Sequence, residues 1–259
     1  MSNSLLHYTV SGAGPALVFL HGFCESQEVW TDFVTPLANQ FRIITLDLPG
    51  HGRSPIPDDF TMEAQARQVH QTLQALHVEK CLLVGHSMGG YVSLAFAEKY
   101  PELLRGLCLF HSSALPDTPE KRENRDKTAD FVRKHGVDKF MDSFVAPLFA
   151  AGNREANQAA IEKMQAIGKA TPPESIVGCL QAMRDRADRT EVLKNAAYPV
   201  LFLAGKEDLA VPLEATLQQC HLPENCMTYF LGQVGHMGMF ERTAPTRQAL
   251  LKFAELLPS

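Results

Sequence analysis

Apolar residues along the chain gather in short solid runs, and amphipathic stretches separate one run from the next. The runs at 16–20, 41–46, 81–84, 104–110, 199–204 and 226–231 have the length of strands, most of them apolar enough to be buried on both faces. A further strand is predicted at 5–10, closed by the turn-forming Ser11-Gly-Ala-Gly-Pro15. Trp30, Phe33, Val34 and Leu37 recur at i, i+3, i+4 and i+7, which predicts a short helix over 30–39. Thr61 suits the N-cap of a second helix reaching about 76, the stretch 91–100 continues as a third, and 244–257 is a terminal helix. Strands alternating with helices predict βαβ units, hence an α/β fold with a mainly parallel sheet flanked by helices. Loops at the carboxyl ends of such strands gather functional groups. His21-Gly22, the loop 47–54 and Ser87 all follow strands directly and should share one edge of the sheet.

The alternation stops near Pro116. Residues 117–195 show no strand pattern; they are charged and helical in period over 119–150 and 153–170, with another helix opening at Pro172-Pro173. Met141, Phe144, Val145 and Leu148, and then Ile161, Met164 and Ile167, are read as packing within this insertion rather than as substrate contacts. The expected organisation is a core of 1–116 and 196–259 with a helical subdomain at 117–195.

Composition narrows the partners. A chain of 259 residues, 45% apolar, can bury a full core, and its net charge of −5 leaves no basic excess for nucleic acid. The first residues lack a basic segment followed by a long apolar one, and no apolar run is long enough to span a bilayer, so a cytoplasmic protein with no membrane span is expected. The six cysteines form no C-x-x-C pair and no His/Cys cluster has zinc spacing, so neither disulfides nor a metal are expected.

The chemistry centres on Gly85-His-Ser-Met-Gly-Gly90, between a predicted strand and a predicted helix. Small residues on both sides of Ser87 allow a tight turn with the hydroxyl at its apex, near the positive end of the helix. A serine hydroxyl needs a base, and the base needs an orienting group. Asp208 and His236 each follow a later strand, in the order Ser, Asp, His that this strand–turn–helix pattern calls for. Glu207 and Asp117 are the alternative acids. Cys24 is read as a packed thiol, His86 as packed against the turn, His21 as a brace of its loop, and His51 stays open.

With His21-Gly22-Phe23, Asp47-x-Pro-Gly-x-Gly-x-Ser54, Gly205-x-x-Asp208 and Gly235-His236 in place, the chain resembles esterase-like serine hydrolases of the α/β-hydrolase fold superfamily over nearly its whole length. The resemblance implies that 117–195 is a helical cap inserted between the sixth and seventh core strands, and that the usual first strand is absent or very short here. It implies catalysis by Ser87, Asp208 and His236, with the backbone amides of Phe23 and Met88 as oxyanion donors. Epoxide hydrolases and dehalogenases of this fold carry aspartate where Ser87 stands. The expected activity is cofactor-independent hydrolysis of a carboxylic ester of a small or medium acyl substrate. Thioester, lactone and carbon–carbon bond hydrolysis stay open within the class, as does a small-molecule receptor of the same fold outside it. Neither the substrate nor the oligomeric state is legible.

Overall fold

The computed structural model describes residues 5–257. Its seven strands are β1 (Tyr8–Ser11), β2 (Ala16–Leu20), β3 (Arg42–Leu46), β4 (Cys81–His86), β5 (Leu104–Phe110), β6 (Val200–Gly205) and β7 (Cys226–Leu231). They form one sheet in the order β1-β3-β2-β4-β5-β6-β7. Only β1 runs antiparallel, against β3; the other pairs are parallel. Every residue of β2, β4 and β6 is buried, which is why these strands read as solid apolar runs instead of alternating ones. The outermost strands, β1 and β7, are largely exposed.

The helices pack in two groups beside this sheet. Met62–Ala75 lies against Met88–Lys99, and Thr61 caps the former by accepting the Ala64 N–H at 3.2 Å. Thr243–Leu256 joins the 27–39 segment, where Arg247 Nε donates to Phe33 O at 2.8 Å. Among the described residues no helix is long and apolar enough to cross a membrane.

Several expected boundaries move for identifiable reasons. The first strand starts at Tyr8 rather than at 5, because the Leu6 and His7 amides donate to Thr72 Oγ1 and Ser54 Oγ instead of joining the ladder. The 30–39 helix is three short pieces: a 3₁₀ turn Gln27–Trp30, one α-turn Thr31–Val34 and a 3₁₀ segment Thr35–Asn39 containing Pro36. Proline removes an N–H that a continuous α-helix would use. The four apolar residues that suggested the helix are nonetheless all buried. The helix beginning at Val137 ends at Phe144, short of 150, ahead of Pro147. The one beginning near 153 starts at Gln158.

Between β5 and β6 the chain has no strand, with Pro119–His135, Val137–Phe144, Gln158–Lys169, Pro173–Asp185 and Thr190–Lys194 as its α-helices. Counted on the described residues, the insertion therefore follows the fifth strand, not the sixth, since no strand precedes Tyr8 among them. Met141, Val145, Ile161 and Met164 are core residues, as expected. Phe144 and Leu148 behave otherwise, for both reach the cavity described below.

Candidate active site

Loops at the carboxyl ends of β2, β4, β5, β6 and β7 bring Glu25, Ser87, His111, Asp208 and His236 close together, whereas the loop after β3 stays apart. Ser87 follows β4 and stands between it and the helix Met88–Lys99 with φ 50° and ψ −116°. A non-glycine residue rarely holds such a conformation, and here the surroundings enforce it. The Ser87 amide donates to Phe110 O at 3.0 Å, and its carbonyl accepts the Gly90 N–H at 2.9 Å and Ser112 Oγ at 2.7 Å. Gly89 lets the helix approach β2: a Cβ there would lie 2.6 Å from the carbonyl oxygens of both Leu20 and His21. Gly89→Ala should therefore destabilise the protein by about 1–3 kcal/mol, because backbone cannot give way as a flexible side chain can. Urea unfolding of the variant checks this, and an unchanged midpoint would contradict it.

Asp208 follows β6 and His236 follows β7. His236 Nδ1 lies 2.8 Å from Asp208 Oδ2, and both side chains are buried. Asp208 Oδ1 accepts the Ala210 and Val211 N–H groups at 2.9 and 2.8 Å. Burial by itself would raise the Asp208 pKa. Electrostatic interaction with His236 and hydrogen bonds with His111 and His236 outweigh it, holding the carboxyl well below the usual range. Ser87 and His236 line one cavity of about 70 Å³, with Phe23, Glu25, Tyr91 and Arg125 also on its wall. Among the described residues no hydrogen bond yet joins Ser87 Oγ to the imidazole, a gap that commonly closes only when substrate is bound. The Phe23 and Met88 amides have no acceptor among the described residues, and Met88 is the first residue of its helix. Among the described residues neither amide is therefore spent on a protein acceptor.

The other sequence candidates fall elsewhere. Asp117 pairs with Arg125 and Arg186, not with His236, and Glu207 is exposed. Burial pushes the Cys24 thiol well above its ordinary pKa, which leaves no thiolate to act as nucleophile. His21 does brace its loop: Nε2 accepts the Leu48 N–H and Nδ1 donates to Gly22 O, both at 2.8 Å. His51 is buried, and burial lowers its pKa to about 3, too low for a useful base.

Two features escaped the sequence reading. His111, directly after β5, places Nδ1 3.2 Å from the Asp208 oxygen that His236 uses. The ligating atoms of His111, Asp208 and His236 lie within 4.8 Å of one another. Their mutual hydrogen bonds account for that closeness without a metal. Position just past a strand was the only signal for His111.

The second is a buried pair formed by Glu25 and His86. His86 Nδ1 lies 3.1 Å from Glu25 Oε2 and Nε2 lies 3.0 Å from His236 O. Both partners are acceptors, so the doubly protonated ring, which donates from both nitrogens, is the form that satisfies them. Glu25 also accepts the Gly22 N–H at 2.7 Å, so the pair ties the loop after β2 to the His236 loop. Burial favours neutral His86, but the Glu25 charge and the two hydrogen bonds raise its pKa above 6.5. Burial likewise favours neutral Glu25, and His86 with the Gly22 amide brings it below 4.5.

The stability owed to His86 is complete below pH 6.5 and is lost as pH rises through its raised pKa. The share owed to Glu25 is complete above pH 4.5 and is lost as pH falls through its depressed one. The unfolding free energy of Glu25→Gln should therefore fall furthest below wild type near about pH 5.5, with a smaller difference toward either extreme. A difference that does not vary with pH would show that no charge is involved.

A larger cavity, about 510 Å³, opens beside β1 and β3, where His7 Nδ1 lies 2.9 Å from Asp47 Oδ2. It contains none of Ser87, Asp208 and His236, and Asp47 is occupied in bracing its own loop through the Gln27 and Arg53 amides.

The sequence profile of the alpha/beta hydrolase fold family matches residues 15–243. The chain belongs to the α/β-hydrolase fold family. A thermophilic esterase from Thermogutta terrifontis, solved with malate bound, superposes on this α/β hydrolase with a TM-score of 0.91 at 30% identity, covering 96% of this chain and 93% of that one. The enol-lactonase from Burkholderia xenovorans LB400 shares the fold at a TM-score of 0.88 and 21% identity, covering 96% of each chain. A 2-hydroxy-6-oxo-6-(2'-aminophenyl)hexa-2,4-dienoic acid hydrolase from Metapseudomonas resinovorans is 26% identical over 254 residues, 95% of this chain and 86% of its own. Hydrolysis is common to all three, and this protein is a hydrolase of the same fold.

Proposed function

We propose that this α/β hydrolase cleaves a carboxylic ester of a small or medium acyl substrate through an acyl-enzyme on Ser87. The observation that carries this reading is the Asp208–His236 hydrogen bond, 2.8 Å long, ending in a cavity that Ser87 shares. Ser87 Oγ attacks the ester carbonyl while His236 Nε2 takes its proton, and the Phe23 and Met88 amides hold the oxyanion. The carbon–oxygen bond to the alcohol then breaks, and His236 returns the proton to the leaving alkoxide. Water, deprotonated by His236, attacks the acyl-enzyme and releases the acid and free Ser87. No step calls for a cofactor.

Residues 117–195 act in this reading as a cap, since Arg125, Phe144, Leu148 and Met183 all come from them to the cavity wall. A volume of about 70 Å³ is small beside the roughly 300 Å³ or more of ordinary ligand pockets. The site as it stands therefore suits short acyl groups, or opens by movement of these helices. The esterase at 30% identity favours an ester over the other acyl bonds, and the dienoic acid hydrolase at 26% keeps carbon–carbon cleavage as the comparison to run. A panel of acyl esters and thioesters of graded chain length, with Ser87→Ala as the control, tests the reading.

A further inference from the structure

Arg125 is held in the cavity wall in a way that the chemistry of acyl transfer leaves unused. Its Nε donates to Asp117 Oδ2 at 3.1 Å, and among the described residues its two terminal nitrogens have no hydrogen-bond partner. Its side chain is about a quarter exposed (25%) and faces the cavity that holds Ser87 and His236.

Asp117 does not neutralise it alone, because Arg186 competes for the same carboxylate. Arg186 Nη1 lies 2.7 Å from Asp117 Oδ1, and the Arg186 side chain is buried. The terminal nitrogens of that guanidinium are engaged elsewhere too, donating to Met183 O and Leu115 O, and the group lies 4.0 Å over the Tyr91 ring. Two guanidiniums therefore share one carboxylate. The acid on the cavity wall itself, Glu25, has its charge met by His86. Lys121, one turn earlier on the helix that carries Arg125, donates to the carbonyl of Ala210, another wall residue. Arg125, Arg186 and Asp117 together carry one net positive charge, and of these three only Arg125 reaches the cavity wall, with a planar edge whose two free nitrogens match a carboxylate.

We propose that Arg125 forms an anion subsite, so that the acyl group cleaved at Ser87 carries a carboxylate at its far end a few atoms from the scissile carbonyl. This rests on Ser87 being the nucleophile. Asp117 and Arg186 position the Arg125 guanidinium, and the free edge of that group receives the substrate carboxylate in a bidentate pair. The interaction is present in ground state and transition state alike, so its loss should appear mainly in KM.

The experiment compares monomethyl glutarate, which keeps the distal carboxylate, with dimethyl glutarate, which does not. Wild type is expected to favour the monoester at least about tenfold in kcat/KM. Arg125→Gln should lower kcat/KM for the monoester about 10- to 100-fold and leave the diester within about threefold. Equal wild-type rates on the two esters, or equal losses on both in the variant, would overturn the subsite and leave Arg125 as a structural partner of Asp117. A calorimetric titration of both esters into Ser87→Ala protein gives a reading that needs neither turnover nor a folded Arg125 variant. Preferential binding of the monoester there, with no hydrolysis of either ester by wild type, would keep the subsite and remove the ester-hydrolase reading. Hydrolysis with no preference in either measurement would do the reverse.

Discussion

Ser87→Ala is expected to lower ester turnover by about 10⁴- to 10⁶-fold while leaving the fold intact. In the proposed mechanism the site acts as a unit, which sets the size of the effect: without the hydroxyl no acyl-enzyme forms, and His236 and the Phe23 and Met88 amides have nothing to activate. What survives is whatever the oxyanion donors can do for a water molecule. Stability should barely change. Alanine keeps the Cβ that already sits at φ 50°, and the lost hydroxyl makes no hydrogen bond among the described residues. Turnover of p-nitrophenyl esters, read beside a thermal melt of the same preparation, checks both halves. A variant that keeps wild-type rates would remove Ser87 from the mechanism, and one that melts early would make its inactivity uninformative.

Asp208→Asn should cost about 10⁴-fold in kcat with the fold again preserved. The retained Oδ1 can still accept the Ala210 and Val211 amides, so the loop after β6 keeps its shape. At the other position a carboxylate oxygen becomes an NH₂ donor facing Nδ1 of both His236 and His111. His236 must then present an unprotonated Nδ1 to that donor, which puts its proton on Nε2, where a base for Ser87 needs a lone pair. The charge that would stabilise the imidazolium is lost as well. Measured kcat on the best ester from the panel decides the matter. A loss under about tenfold would mean that Asp208 does not orient the base, and Asp117, already tied to two arginines, would not replace it.

Ser87, Asp208 and His236 could be named from the chain because each sits just past a run apolar enough to be a buried strand. Parallel strands bring all such positions to one edge, so spacing along the chain becomes proximity in space. Glu25, His86 and Arg125 could not be assigned this way. Glu25 meets His86 across 61 residues, and His86 meets the His236 carbonyl across 150. A histidine inside an apolar run shows no sign of which acceptors surround it. Arg125 lies in a charged helix, where its neighbours in sequence look like any solvated face, and only packing turns it toward the cavity.

The sequence by itself determined the α/β class, the order of strands and helices along the chain, and the loops in which the candidate site residues lie, because burial on both faces of a parallel sheet leaves a direct mark on residue type. Tertiary structure decided where the short pieces of 27–39 break, which of the buried histidines are charged, how small the cavity is, and which helical side chains face it. Those depend on contacts between residues far apart in the chain. Hydrogen bonds and burial set them only after the strands have been brought side by side.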